Sequence, residues 1–256
     1  METFKVLKIK GGSQEIIDDF VIEEVPFTIN IGRKELVTLL CTPSDLKDLA
    51  IGFLFTSALI KKIKDIKKIV INQEQWVADI DLAAADIDLV FKRLYTSGCG
   101  RGILFYSAQD LLNRGKLTSD FKIPSAKIIS LMVEFQRMSE VYHKTGGAHS
   151  AAIADSKGII VFKEDIGRHN AIDKVIGRSL AESLDFKDKI LITSGRISSE
   201  VLLKVQKCRM PVIVSKSAPT NQAVKLAREM AITLVGFARG DRMNVYSTEE
   251  RIKLDV

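Results

Sequence analysis

The sequence is poor in the residues that mark several classes of protein. Only three cysteines, Cys41, Cys99 and Cys208, occur among 256 residues, and no two of them stand close together in the chain. Disulfide scaffolds and cysteine-rich zinc sites need paired cysteines, so the sequence argues against both and favours a reducing compartment, the cytoplasm. No apolar run approaches the roughly 18 residues of a membrane-spanning helix.

Recognised signal and cofactor patterns are scarce too. The opening METFKVLKIKGG lacks the apolar core of a secretory signal peptide, and no Walker or G-x-G-x-x-G pattern occurs. Zinc deaminases combine H-x-E with P-C-x-x-C. Here His149 is followed by Ser150 and Ala151, and no C-x-x-C occurs anywhere. We therefore expect no zinc.

The charge that is present is uneven. Residues 1–120 hold 16 Lys and Arg against 17 Asp and Glu, whereas residues 121–256 hold 22 against 15. A basic second half suggests an anionic partner, either nucleic acid or a phosphorylated small molecule, although the excess could serve solubility alone. Nucleic acid is disfavoured because aromatic residues make up only 7% of the chain and the basic residues lie in separate loops.

The first half reads as strands followed by a helix. Apolar and polar residues alternate between turn signals at Gly11, Gly12 and Gly32. Strands are predicted over 4–9, 15–22, 26–31 and 35–41. Thr42 as N-cap and Pro43 at the first helical position then predict an amphipathic helix over 43–60. Residues 1–120 thus form a smaller α+β, mostly β-rich N-terminal region that also contains the Cys99 loop.

The second half alternates between strands and helices. A helix is predicted over 125–143 and a hairpin over 149–155 and 158–165. Buried strands at 190–194, 211–217 and 232–238 alternate with helices at 170–180, 198–207 and 221–230. Short apolar strands separated by helices predict a parallel sheet with helices on its faces. Residues 121–256 are therefore predicted to be an α/β domain that binds the ligand.

Basic loops follow four strands of this domain. Ligands of open α/β sheets bind at the carboxyl ends of the strands. The loops 166–169, 193–196, 215–220 and 237–242 each hold a cation beside Gly, Ser or Thr. These residues are Arg168, His169, Ser194, Gly195, Arg196, Lys216, Ser217, Arg239, Gly240 and Arg242. Three loops precede predicted helices, whose N-termini attract anions, so we expect a phosphate-bearing ligand. Turn formation and helix capping are the alternative explanation.

Cys99 is the second candidate site. Its neighbours Gly98 and Gly100 favour an accessible loop, and Arg101 favours the thiolate. These residues alone do not decide whether Cys99 is a nucleophile or a thiol that takes no part in the chemistry. Cys41 and Cys208 end apolar elements, where a buried thiol acts as a small hydrophobe.

Long segments of the chain resemble a known family. They are GRKELVTLLCTPSDLKDLAIGFLFTSALI, TGGAHSAAIAD, EDIGRHNAIDKVIGR, LITSGRISSE, PVIVSKSAPT and ITLVGFARGDRMNVY. These segments are similar to the formate dehydrogenase accessory protein family, FdhD/NarQ.

The resemblance implies a function, a fold and a site. Members of this family are cytoplasmic, homodimeric sulfur carriers, or sulfurtransferases, with a cytidine-deaminase-like C-terminal domain that has no zinc. They take sulfur from a cysteine desulfurase as a cysteine persulfide. They then pass it to the molybdenum of the bis-(molybdopterin guanine dinucleotide) cofactor of formate dehydrogenase, of which GDP is a fragment. The family's cofactor-binding segment matches Phe237, Ala238, Arg239, Gly240, Asp241 and Arg242, and its persulfide cysteine matches Cys99.

One departure from the family pattern bears on mechanism. The usual loop is C-G-x-C-G, and this chain has Cys99-Gly100-Arg101-Gly102, so a glycine replaces the second cysteine. One thiol suffices to accept a sulfur and surrender it, but it cannot pass sulfur to a second thiol in the loop. The alternative function is a non-catalytic chaperone that binds and delivers the molybdenum cofactor.

Overall fold

The chain begins with a two-stranded antiparallel ribbon. The structure, a computed structural model, describes residues 1–32, 34–83 and 115–254. Strand β1 (Glu2–Lys10) pairs with β2 (Ser13–Val21) along its whole length. Gly11 and Gly12 form the turn at φ 56° and 84°, a backbone region that favours glycine. The predicted first hairpin is confirmed.

A four-stranded sheet and one helix follow. The strands are β3 (Val25–Ile31), β4 (Lys34–Cys41), β5 (Ile66–Asn72) and β6 (Val77–Leu82), in the spatial order β4-β3-β6-β5. Helix α1 (Leu46–Thr56) lies between β4 and β5 and buries every residue except Lys47.

Helix α1 is shorter than the predicted 43–60, and its N-terminal cap was predicted wrongly. Asp45, at φ 56°, is the capping residue and makes no side-chain cap. The Thr42 hydroxyl instead donates to Asp165 Oδ2 at 3.0 Å. A partner more than a hundred residues away therefore competes successfully for the side chain that local sequence assigns to the cap.

A six-stranded sheet forms the second half. Its strands are β8 (His149–Ala154), β9 (Ile159–Asp165), β10 (Ile190–Thr193), β11 (Val212–Ser215), β12 (Thr233–Arg239) and β13 (Arg242–Ser247). The order is β13-β12-β11-β10-β8-β9. Strands β10, β11 and β12 are parallel, as predicted, and the others pair antiparallel. A short parallel pair joins β7 (Ile123–Pro124) to β14 (Ile252–Lys253).

Two predicted elements of this half need correction. The helix over 125–143 is interrupted, giving α2 (Ser125–Met138) and α3 (Glu140–Thr145). The break lies at Ser139, whose backbone leaves the helical region at φ −75° and ψ 66° and whose hydroxyl lies 2.9 Å from Ser150 Oγ. The predicted loop 237–242 is instead the end of β12, a turn at Gly240, and the start of β13.

Helices cover both faces of the six-stranded sheet. Helix α2 packs on one face. On the other face, helices α4 (Arg168–Ala181), α5 (Ser199–Cys208) and α6 (Asn221–Met230) share one core with α1 and the four-stranded sheet. The α/β class and the mixed sheet with helices on both faces are confirmed. The cytidine-deaminase-like description and the division at residue 120 stay predictions.

Helices α1 and α4 approach so closely that only glycine fits at their contact. A Cβ on Gly52 would lie 1.8 Å from the carbonyl oxygen of Asp173, and one on Gly177 would lie 1.9 Å from that of Asp48. This contact joins the two halves of the chain.

Candidate functional site

The strand order brings the four predicted loops to one edge of the sheet. Strand β9 is antiparallel to β8, which is antiparallel to β10, so β9 runs in the same direction as β10, β11 and β12. Their carboxyl ends therefore share an edge with the start of β8 and with His149. This edge is where ligands of such sheets bind.

A cavity of about 460 Å³ opens at this edge. Its wall is lined by Phe135, Gln136, Ser139, Tyr142, His143, Gly146, Gly147, Ala148, His149, Ser150, Ile166, Ser194, Lys216, Ser217, Phe237 and Arg239. Five of these were predicted to bind the ligand: Ser194, Lys216, Ser217, Phe237 and Arg239. The volume suits a small-molecule ligand.

The hydroxyl of Ser194 ties His149 into the cavity wall. Ser194 Oγ accepts a hydrogen bond from the backbone N–H of Ser150 at 3.0 Å and lies 3.2 Å from Nδ1 of His149. Burial, and then the positive charge of Arg168, lower the pKa of His149 below its usual value. The imidazole is therefore neutral at pH 7 and retains one ring nitrogen, Nε2, for a ligand.

The loop after β11 holds a cation against an aromatic ring. Lys216 Nζ lies 5.9 Å from the ring centroid of Tyr142. The loop backbone is fixed by a hydrogen bond from Ser217 N–H to Ser215 Oγ at 2.9 Å. Ser215 Oγ in turn donates to the carbonyl of Gly195 at 2.7 Å, which links two neighbouring loops. A fixed cation and hydroxyl suit phosphate oxygens.

Several predicted residues lie away from the cavity wall. Ala238 is fully buried in the core beneath α2, so its side chain cannot reach a ligand. Arg196 is exposed on its loop. Gly240, Asp241 and Arg242 lie on the turn from β12 to β13, and Arg242 is the backbone neighbour of Arg239. Gly195 packs against the side chain of Arg168.

The wall contributed by α2 and α3 was missed by the sequence reasoning. Gln136 on α2 and Tyr142 and His143 on α3 line the cavity on either side of the break at Ser139, which no local signal marks. The sequence argued against zinc at His149 and assigned this residue no role.

A buried ionic network holds the loop after β9. Lys174 Nζ lies 2.7 Å from Asp165 Oδ2 and 2.6 Å from the Thr42 hydroxyl. The other carboxylate oxygen of Asp165 accepts from Gly167 N–H at 2.8 Å and from the Asn170 amide at 2.9 Å. These bonds satisfy the buried charges and fix the backbone from which Arg168 and His169 extend.

His169 lies beside this network, outside the cavity wall. Its Nδ1 is 3.4 Å from Glu200 Oε1, across the N-terminal turns of α4 and α5. Burial, with the nearby Lys204 and Arg168, lowers the pKa of His169 to about 2, and burial raises the pKa of Glu200. His169 is therefore neutral at physiological pH.

The described cysteines are unsuited to carry sulfur. Cys41 is fully buried, and burial raises its thiol pKa to about 12. Cys208 is nearly buried as well, with its pKa raised for the same reason. The reactive form of cysteine is the thiolate, which neither supplies at neutral pH. Cys99 lies outside the described residues.

Metal and membrane features are both lacking in the described part of the chain. No group of three or more His, Cys, Asp or Glu side chains within residues 1–32, 34–83 and 115–254 is placed to hold a metal ion. Nor does any helix in these ranges have the length and apolar character needed to span a membrane.

Known proteins are similar to this chain in sequence and in structure. The model of the FdhD/NarQ family matches residues 22–253. Sulfur carrier protein FdhD of Bacillus subtilis is 38% identical over 251 residues, covering 97% of this chain and 96% of that protein. The protein of the same name from Listeria innocua is 41% identical over 254 residues, 97% of each. A crystal structure assigned to a formate dehydrogenase accessory protein of Desulfotalea psychrophila has a TM-score of 0.82 at 26% identity and covers 98% of this chain and 99% of that one.

Proposed function

Because the chain belongs to the FdhD/NarQ family, we propose that it is a sulfur carrier that serves formate dehydrogenase. In this proposal the Cys99 thiolate attacks the outer sulfur of a persulfide on a cysteine desulfurase. The new S–S bond forms on Cys99 as the thiolate of the desulfurase leaves. The S–S bond on Cys99 then breaks, the Cys99 thiolate leaves, and the outer sulfur passes to the molybdenum of the reduced bis-(molybdopterin guanine dinucleotide) cofactor, which is the substrate and supplies the two electrons that convert this sulfur to sulfide. The chain works in the cytoplasm as a homodimer.

The cavity at the sheet edge is the observation that carries the ligand side of the proposal. It brings together two cations, Lys216 and Arg239, two hydroxyls, Ser194 and Ser217, and the neutral His149. The phosphates of a guanine nucleotide, such as GDP, would contact the cations and hydroxyls. Arg168, Arg196 and Arg242 extend from the same loops and add positive potential around the opening.

The burial of Cys41 and Cys208 supports the choice of Cys99 as the sulfur acceptor. A sulfur acceptor must form a thiolate and meet the active site of another protein. Of the three cysteines in the chain, these two are buried with raised pKa values.

The test is the mass of the protein after incubation with a cysteine desulfurase and cysteine. The wild type should gain one sulfur, and Cys99→Ala should gain none. Cys41→Ala and Cys208→Ala are the matched controls and should load as the wild type does. A Cys99→Ala protein that still gains one sulfur per chain would remove Cys99 from the proposal.

A second candidate function is a chaperone that binds and delivers the cofactor without carrying sulfur. Gly102 favours it, because the family's second loop cysteine is missing. Under this alternative, Cys99→Ala would still support maturation of formate dehydrogenase in cells. Under the sulfur-carrier proposal, formate dehydrogenase activity is lost.

A further inference from the structure

The ribbon of β1 and β2 leaves an apolar face uncovered. On one side of the ribbon, Leu7, Ile9, Ile16 and Phe20 are 57%, 70%, 74% and 49% exposed. We call these four side chains the ribbon face. A two-stranded ribbon is marginally stable by itself, and such a face normally packs against another layer.

The cross-strand register sets which side chains share this face. Directly paired residues of an antiparallel ribbon lie on the same side. The rows of this face, from the base of the ribbon to its tip, are Thr3 with Phe20, Lys5 with Asp18, Leu7 with Ile16, and Ile9 with Gln14. The central row of the opposite face, Val6 with Ile17, is half-buried.

The two strands carry opposite charge. Strand β1 holds Lys5, Lys8 and Lys10, and β2 holds Glu15, Asp18 and Asp19. Within the described residues, no salt bridge engages any of these six side chains. Pairing two ribbons edge to edge with two-fold symmetry would place β1 beside β1 or β2 beside β2, and like charges would repel.

We propose that the ribbon face packs against the ribbon face of a second copy of this chain, with the two-fold axis parallel to the strands. This axis places β1 of one copy over β2 of the other while keeping every row at its own height. Leu7 then lies over Ile16, Lys5 over Asp18, the bulky Phe20 over the small Thr3, and Ile9 over the stem of Gln14. A two-fold axis perpendicular to the strands would instead place β1 over β1 and bring Lys5 toward Ile9.

Self-complementarity in every row is the property that a two-fold interface requires. The apolar rows bury surface between two sheets about 10 Å apart. In the charged row, Lys5 of each copy faces Asp18 of the other copy. The interface adds a surface to the proposed homodimer and does not depend on sulfur transfer. It lies on a different element from the cavity.

The first measurement is the mass of the full chain by sedimentation. The wild type should sediment as a dimer of the 28.4 kDa chain. Leu7→Thr with Ile16→Thr keeps good strand formers but removes the central row, so it should sediment as a monomer. Val70→Thr, at an apolar residue that is 46% exposed on β5, is the matched control and should remain a dimer.

Charge reversal tests the axis itself. Lys5→Glu places Glu over Asp18 of the other copy, and Asp18→Lys places Lys over Lys5, so each variant alone should dimerise roughly ten- to a hundredfold more weakly. Mixed together, the two variants form complementary pairs across the interface. The mixture should recover a dimer that contains one chain of each kind.

Each negative result would contradict a different part of the proposal. A monomeric wild type would overturn both the homodimer and this interface. A wild-type dimer that survives Leu7→Thr with Ile16→Thr would leave the homodimer in place and overturn the interface. Two weakened charge variants that do not recover on mixing would contradict the parallel axis. An unchanged far-ultraviolet circular dichroism spectrum in each variant shows that the fold itself is intact, since loss of the dimer alone lowers the melting temperature.

Discussion

Among the residues that the structure describes, Lys216 and Arg239 are the two cations that line the cavity. Charge-assisted hydrogen bonds to phosphate contribute about 1.5–3 kcal/mol each, so Lys216→Ala or Arg239→Ala should weaken GDP binding roughly ten- to a hundredfold. Calorimetric titration measures the change, with Lys225→Ala, an exposed lysine on α6, as the control. Wild-type affinity in both cavity variants, or no GDP binding by the wild type at millimolar concentration, would contradict the proposed ligand.

The sequence predicted residues that follow or end strands, charged and uncharged alike, but not the contacts between distant elements. Lys216 directly follows β11 and Arg239 is the last residue of β12, and both strand ends can be located from the local apolar pattern. The pairing of His149 with Ser194 depends on β8 lying next to β10, a contact between residues 45 positions apart. No local property of either residue indicates that pairing, which is why the sequence left the role of His149 open.

The neutral His169 predicts acid sensitivity. In the unfolded chain His169 binds a proton below about pH 6.5, whereas in the folded protein it binds a proton only near pH 2. The unfolded state binds more protons between these values, so stability falls as pH drops below about 6.5. By pH 5 the loss from this group is about 2 kcal/mol. His169→Gln should therefore lose less stability than the wild type between pH 7 and pH 5.

Urea unfolding at the two pH values measures this difference. His143→Gln, at an exposed histidine on α3, is the control and should lose stability as the wild type does. Glu200 acts in the opposite direction, because its pKa is raised, but it is present in all three proteins. An equal loss in wild type and His169→Gln would show that the imidazole is not held neutral.

At the scale of elements, the contact of α1 with α4 should tolerate no added carbon. Gly52→Ala and Gly177→Ala each place a methyl group within 2 Å of a backbone carbonyl oxygen, so the helices must separate. Overpacking of this kind costs about 1–3 kcal/mol or more. Gly115→Ala, where nothing lies within 4 Å, is the control. Urea unfolding should give Gly115→Ala a free energy of unfolding near that of the wild type. The values for Gly52→Ala and Gly177→Ala should be well below it.

Helices and strands were predicted correctly where the hydrophobic pattern determines them. They were predicted wrongly where a contact with a distant residue determines where an element begins or ends. The parallel strands β10 to β12 and their helices follow from apolar periodicity. The Thr42 hydroxyl bonds to Asp165 and does not cap α1, and the helix break at Ser139 lies where this residue bonds to Ser150, eleven positions away. At 237–242, glycine and charge suggested a loop, but pairing of Arg239 with Arg242 continues the sheet.

The whole molecule should unfold in one step. One core includes the four-stranded sheet, α1, and a face of the six-stranded sheet. The buried Asp165 and Lys174 bond to Thr42 at the end of β4, and Asp173 accepts from Thr56 on α1. A single calorimetric transition with equal calorimetric and van't Hoff enthalpies is expected. Two separated transitions would show that the predicted halves at residue 120 are independent domains.

The almost complete burial of α1 has a consequence for the synthesis of the chain on the ribosome. Helix α1 has apolar residues on every side, and its partner helix α4 is more than a hundred residues downstream, as Thr56 and Asp173 are 117 positions apart. At about 5–20 residues per second, the ribosome takes roughly 6–25 seconds to reach α4 after α1 emerges. During that interval the four-stranded sheet can cover one side of α1, but the apolar side that packs against α4 has no native partner. The nascent chain is therefore a substrate for chaperones that hold apolar segments, and translational pausing before α4 should reduce the yield of soluble protein.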